Sequence, residues 1–195
     1  MDKRPARISA RQRLLAAAGE LFYENGINTV GIDRIIEHAG VAKASLYDCF
    51  GSKDELVRAY LQERGESRRA RINERLAQIA DPKDQILAIF DLLGELASQP
   101  DYRGCAFVRA GADASASDKV KNAVSESRTF ILEKFTDLGR LAGASDPLLL
   151  AKQLVLLYDG AATSAYMDGN RSAVAAARAL AAQVLVLHNL TPEKY

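Results

Sequence analysis

The 195-residue chain contains no tryptophan, two cysteines and two histidines. Cys49 and Cys105 have neither the paired spacing of a zinc site nor the number for a disulfide framework. His38 and His188 cannot complete a metal cluster unaided, so no metal and no cofactor is expected. Uninterrupted apolar runs are also missing. The best stretch, LLLAKQLVLLYDGAATSAYM, carries Lys152 and Asp159 where a membrane span would hold neither. The N-terminus lacks the apolar segment of a secretory signal, so a cytoplasmic protein without a membrane partner is expected. An excess of one charge is absent too: the formal net charge is +1, and overall electrostatics names no partner. The basicity is local, with five Arg or Lys against one Asp in MDKRPARISARQR.

What is present is helical period. Hydrophobic residues make up 48% of the chain, enough for a substantial core, and they recur every three to four residues, with no strand-like series. The fold class is therefore all-α, with about nine helices. Ser9 is a natural N-cap for a first helix with the stripe Leu14, Ala18, Leu21 and Phe22, stopped at Gly26. A second begins at Gly31, with Val30 and Ile35 as a hydrophobic staple, and ends at Gly40. A third runs from about Ala42 to Cys49, and a fourth opens on the capping-box pattern SKDE at Ser52. The fourth is long, and its five-arginine middle, ERGESRRARINER, reads as a solvated connector. Pro82, Cys105, Ser117, Asp146 and Ser172 mark the starts of five more helices.

The segment IDRIIEHAGVAKASLYDCF has the parts of a helix-turn-helix unit. Ile32, Ile35, Ile36 and Ala39 can pack inward, Gly40 turns the chain, and Val41 and Leu46 plug the next helix into place. Followed by FGSK, this order resembles the TetR family of bacterial transcriptional repressors, over about Ile8 to Leu61. The resemblance implies that Lys43 and Ala44 face base edges. Ser45, Tyr47 and Lys53 would hold phosphates, with backbone N–H groups at Gly31 and a contact from Asp48. Arg4, Arg7 and Arg11 of the basic arm are further candidates for the DNA backbone. Four positions depart from the usual pattern: Gly31 stands where a hydroxyl residue often caps the second helix, Asp33 and Asp48 are acidic, and Cys49 replaces a frequent His or aromatic.

Membership would also imply a division into residues 1–60, a DNA-binding domain with a basic arm, and residues 61–195, an effector-binding and dimerisation domain. The partners implied are double-stranded operator DNA, a small-molecule effector and a second copy of the chain. Effector contacts are expected among Phe90, Leu93, Tyr102, Cys105, Phe107, Phe130, Tyr158 and Tyr166, with Arg109 and Asp113 as polar neighbours. The last two helices are apolar on more than one face, which points to dimerisation through Leu154, Leu157, Ala161, Leu180, Val184 and Leu187. The expected function is a ligand-responsive regulator, a repressor released from a palindromic operator by its effector. Two alternatives are a redox-sensing regulator using Cys49 and a helical small-molecule binding module without DNA activity. An enzyme is not expected, because neither histidine falls in the segment around Cys105.

Overall fold

The computed structural model describes residues 8–112, 117–169, 172–188 and 190. Among them are nine α-helices and no strand: α1 (Ala10–Asn25), α2 (Ile32–Ala39), α3 (Lys43–Phe50), α4 (Lys53–Leu76), α5 (Pro82–Ala97), α6 (Ala106–Gly111), α7 (Asp118–Ala142), α8 (Pro147–Met167) and α9 (Ser172–Leu187). Arg4, Arg7 and Asp113 lie outside the described residues.

Local chemistry sets the helix ends. Ser9 accepts from the Gln12 amide while the Gln12 side chain accepts from the Ser9 amide, a reciprocal capping box. Ser52 accepts from the Glu55 amide at the start of α4, and Asp81 and Asp146 cap the two helices that open with proline. Gly40 ends α2 in the left-handed conformation (φ 61°), where any other residue would cost roughly 1–2 kcal/mol. Its turn is held from α1: Arg13 donates to the Gly40 carbonyl at 3.0 Å and, at longer range, to that of Ala39.

Two apolar clusters fill the molecule. One joins Leu14, Leu21 and Phe22 of α1 to Ile35, Leu46, Leu56 and Tyr60, and extends to Phe107 and Ala110 of α6 and Val120 and Ala123 of α7. Within it, Phe22 meets Tyr60 edge to face at 5.6 Å, a geometry worth about 0.5–1.5 kcal/mol beyond burial alone. The other lies among α5, α7, α8, α9 and the end of α4, around Phe90, Phe135 and Leu154. Helix α4 therefore contributes Tyr60 and Leu61 to the first cluster and Ile72 and Leu76 to the second.

The middle of α4 is mostly solvent-exposed and joins the two clusters, as expected of a solvated connector, but its arginines are not idle. Arg64 lies 4.0 Å from the ring centre of Tyr23, Arg68 4.9 Å from Phe107 and Arg69 5.1 Å from Phe130. Arg75 forks onto both oxygens of Glu95. Guanidinium planes on aromatic faces supply the packing that aliphatic residues do not supply here, so a stretch poor in apolar residues is still docked.

Candidate functional site

Helix α3 is seated by one side chain. Leu46 is fully buried, while Lys43, Ala44, Tyr47 and Asp48 are exposed and Ser45 is half-buried. The expected reading face is thus presented outward as one surface beside the exposed N-cap Gly31. No side chain caps α2, so its first backbone N–H groups are left for an outside acceptor such as a phosphate.

Two lysines are engaged in ways the sequence did not reveal. Lys43 donates to Asp33 at 2.9 Å, and that carboxylate, by hydrogen bond and charge, raises the Lys43 pKa. Asp33, an unusual acid in this pattern, is therefore the internal partner of the lysine expected to read bases. Lys53 donates to the Ile27 carbonyl at 2.7 Å, and burial pushes its pKa down. It ties the loop before α2 to α4, and any phosphate bond must use its remaining N–H groups. Arg11 stacks on Phe50 at 5.0 Å, which occupies its guanidinium at the end of α3. Cys49 is half-buried against the core of this unit.

Two cavities of about 360 and 70 Å³ adjoin at Arg68, Cys105 and Phe107. Of the eight expected effector residues, Leu93, Tyr102, Cys105, Phe107 and Tyr158 line one or both. The other three line neither. Phe90 is wholly buried, packed on Phe135 and Tyr158 at 5.9 and 6.1 Å. Phe130 sits in an open groove on the outer side of α7, near the cations of Arg69 and Lys134. Tyr166 is exposed and lies over Gly104, where an added Cβ would come within 3.2 Å of it. Burial raises the pKa of both Tyr102 and Tyr158 and keeps their phenols protonated; Tyr102 donates to the Ala162 carbonyl at 3.1 Å.

The small cavity reaches the DNA-side helices through Tyr23, which also lines it. The Tyr23 hydroxyl accepts from the Arg103 amide at 2.9 Å, its carbonyl accepts from Arg109 at 2.7 Å, and its ring carries Arg64. The loop before α6, α6 itself and α4 therefore all hold the C-terminal turn of α1. Tyr23 was not singled out from the sequence, because its three partners lie 41 to 86 positions away. The only local signal is an aromatic next to the buried stripe residue Phe22. A further strap, Lys119 to Glu55 at 2.5 Å, ties α7 to α4, and the hydrogen bonds from Lys119 and Arg58 lower the Glu55 pKa.

The expected dimer residues divide by face. Leu154 and Ala161 are buried in the chain's own core, Leu157 and Val184 are half-buried, and Leu180 and Leu187 are exposed. The outward leucines of α8 are instead Leu148, Leu149 and Leu156, because a helix apolar on several sides spends one of them internally. Leu149 and Leu156 are seven apart on α8, as are Leu180 and Leu187 on α9, which puts each pair on one side.

His38 pairs with Glu20 and His188 with Gln153, so neither histidine is engaged with a cysteine. The described residues contain no group of three or more metal-ligating side chains. No helix among them is long and apolar enough to cross a membrane.

A short helix braced by another across a left-handed glycine, plugged by Leu46 and bare on its outer face, defines a helix-turn-helix protein. The model for bacterial regulatory proteins of the tetR family matches residues 14–60. A TetR-family transcriptional regulator from Streptomyces coelicolor shares this fold over 92% of this chain and 95% of its own, with 32% identity and a TM-score of 0.85. The chain belongs to the TetR family: it is a transcriptional regulator and not an enzyme. Among curated relatives, the transcriptional activator FasR of Mycolicibacterium smegmatis is 34% identical over 97 residues, 45% of this chain and 44% of that protein. The transcriptional repressor NemR of Escherichia coli is 28% identical over 161 residues, 77% of this chain and 81% of that one. The match spans less than half the length of the first curated relatives.

Proposed function

We propose that the chain is a ligand-responsive repressor that binds a palindromic operator as a homodimer and leaves it when a small molecule enters the cavities beside Cys105. In this reading residues 1–60 read DNA, and residues 61–195 bind the effector and dimerise. The observation that carries it is the placement of Tyr23: one residue of α1 both lines the small cavity and is gripped by Arg64, Arg103 and Arg109. A ligand that displaces those groups shifts α1, and with it the α2–α3 pair packed on α1. Release follows from differential affinity: the ligand favours the dimer whose two reading helices are out of register with the half-sites. Repression follows if the operator overlaps the promoter.

Selection of bound duplexes from a random pool at low salt tests the DNA arm, with enrichment of an inverted repeat as the expected result and no enrichment as the contrary one. Arg109→Gln tests the coupling. Operator affinity is expected to stay close to the parent value. The effector-induced loss of affinity, typically about 5- to 150-fold, should fall toward none. An unchanged response would remove α6 from the path.

Asp33→Asn releases Lys43 for DNA. The expected result is tighter operator binding with a steeper salt dependence, by about one unit in the log–log slope, read by fluorescence anisotropy across a salt series. An unchanged slope would mean that the Lys43 ammonium neutralises no phosphate.

A further inference from the structure

The small cavity carries an unbalanced charge. Arg64, Arg68 and Arg71 follow one another at i, i+4 and i+7 along α4, so they share a face, and all three line it. None of the three forms an ion pair with a carboxylate among the described residues, and none of the described residues lining this cavity is Asp or Glu. Arg68 is the most committed of them: one terminal nitrogen donates to the carbonyl and hydroxyl of Ser127, and its plane lies on Phe107. Its Nε is nevertheless buried with no acceptor. A buried guanidinium N–H without a partner costs more than a neutral one, and the group that relieves it most is an anion. Across the larger cavity the one lining acid, Asp159, is already taken by Arg128 at 2.7 Å. The remaining walls are largely apolar and aromatic, with Leu93, Leu96, Phe107 and Tyr158 among them.

We infer that the effector is an organic anion, a carboxylate on a small apolar body, whose head group pairs with the guanidinium groups of Arg68 and Arg71. This rests on the reading of these cavities as the effector site. The apolar body lies against Phe107 and Leu93 and extends past Cys105 into the 360 Å³ cavity. Such a ligand draws on the same Arg68 side chain that stacks on Phe107 and lies beside Arg64, itself stacked on Tyr23, which gives it leverage on α1.

Matched acid and amide probes test the inference on the full-length protein: 4-fluorobenzoate against 4-fluorobenzamide by fluorine NMR, and hexanoate and decanoate against their amides by competition. The acids are expected to bind at least about tenfold more tightly than the amides. Arg68→Gln is expected to erase that preference. Arg71→Gln, at an exposed position that leaves the fold intact, is expected to reduce it, whereas Arg75→Gln, outside the cavity, leaves it unchanged. Amides binding as well as acids, an acid preference that survives both cavity variants, or no probe binding up to about 10 mM would each overturn the inference. Operator release, measured in parallel, separates this from the functional reading. Acids that bind through Arg68 without releasing DNA support the anion site and sink the ligand-responsive reading; amides that bind and release DNA do the reverse.

Discussion

A chain carrying Leu156→Glu and Leu187→Glu is expected to sediment as a folded monomer and to bind the inverted repeat at least about 100-fold more weakly than the parent. Both leucines are mostly solvent-exposed in the isolated chain, at 74% and 81%, so the fold itself loses little. Exposed substitutions of this kind fall within about 0.5 kcal/mol. Two α8–α9 pairs packed about a two-fold axis, however, would bring two carboxylates from each chain into the seam, where their desolvation and mutual repulsion oppose association. Loss of the dimer removes the tethering of one reading helix by the other, which contributes roughly 10²–10⁴ in apparent affinity. Analytical ultracentrifugation and anisotropy on the same preparation decide the matter. A variant that stays dimeric would place the interface elsewhere, and a monomer with parental affinity would remove dimerisation from DNA recognition.

Leu46→Ala is expected to destabilise the protein by about 2–5 kcal/mol, a large share of the roughly 5–15 kcal/mol that holds a domain together. Leu46 is the one fully buried side chain of the eight-residue α3. No other contact of comparable burial keeps that helix on α1 and α2, so the cavity left behind cannot be closed without moving the reading face. Thermal unfolding should fall by roughly 4 to 20 °C. Operator binding should weaken while the dimer, built from distant helices, persists. A melting point within about 1 °C of the parent would mean that α3 is seated by other contacts.

The helices were legible in the sequence wherever local rules act. Ser9, Ser52 and Asp146 cap, Pro82 opens and Gly26 and Gly40 stop, as short-range hydrogen bonding and backbone freedom require. The outward face of α3 was legible for the same reason, since burying Leu46 fixes where its neighbours point. Pairings across the chain were not. Arg64 on Tyr23, Arg68 on Ser127 and Phe107, and Arg109 on the Tyr23 carbonyl join residues far apart, and a count of apolar residues in α4 makes no allowance for guanidinium stacking. Faces of helices that are apolar all round were illegible as well. Periodicity cannot separate Leu154 from Leu156 when both sides carry leucine, and the burial of one and exposure of the other comes from how α8 sits against α7 and α9. Nor does the sequence tell which aromatic residues line a cavity: Phe90 serves the core and Phe130 the outer surface.

The central claim is that two copies of α3 are held at a fixed separation matching successive major-groove faces, about 34–36 Å apart. Operator affinity at low salt, measured by anisotropy on the selected inverted repeat and on the same repeat with about 5 bp inserted at its centre, tests it most directly, since half a helical turn puts the second half-site on the far side of the duplex. Affinity is predicted to drop at least about 100-fold on insertion and to stay low when the insertion is a full turn, which restores the face but adds about 34 Å to the separation. Equal binding to the repeat, the shifted repeat and random duplex would contradict it.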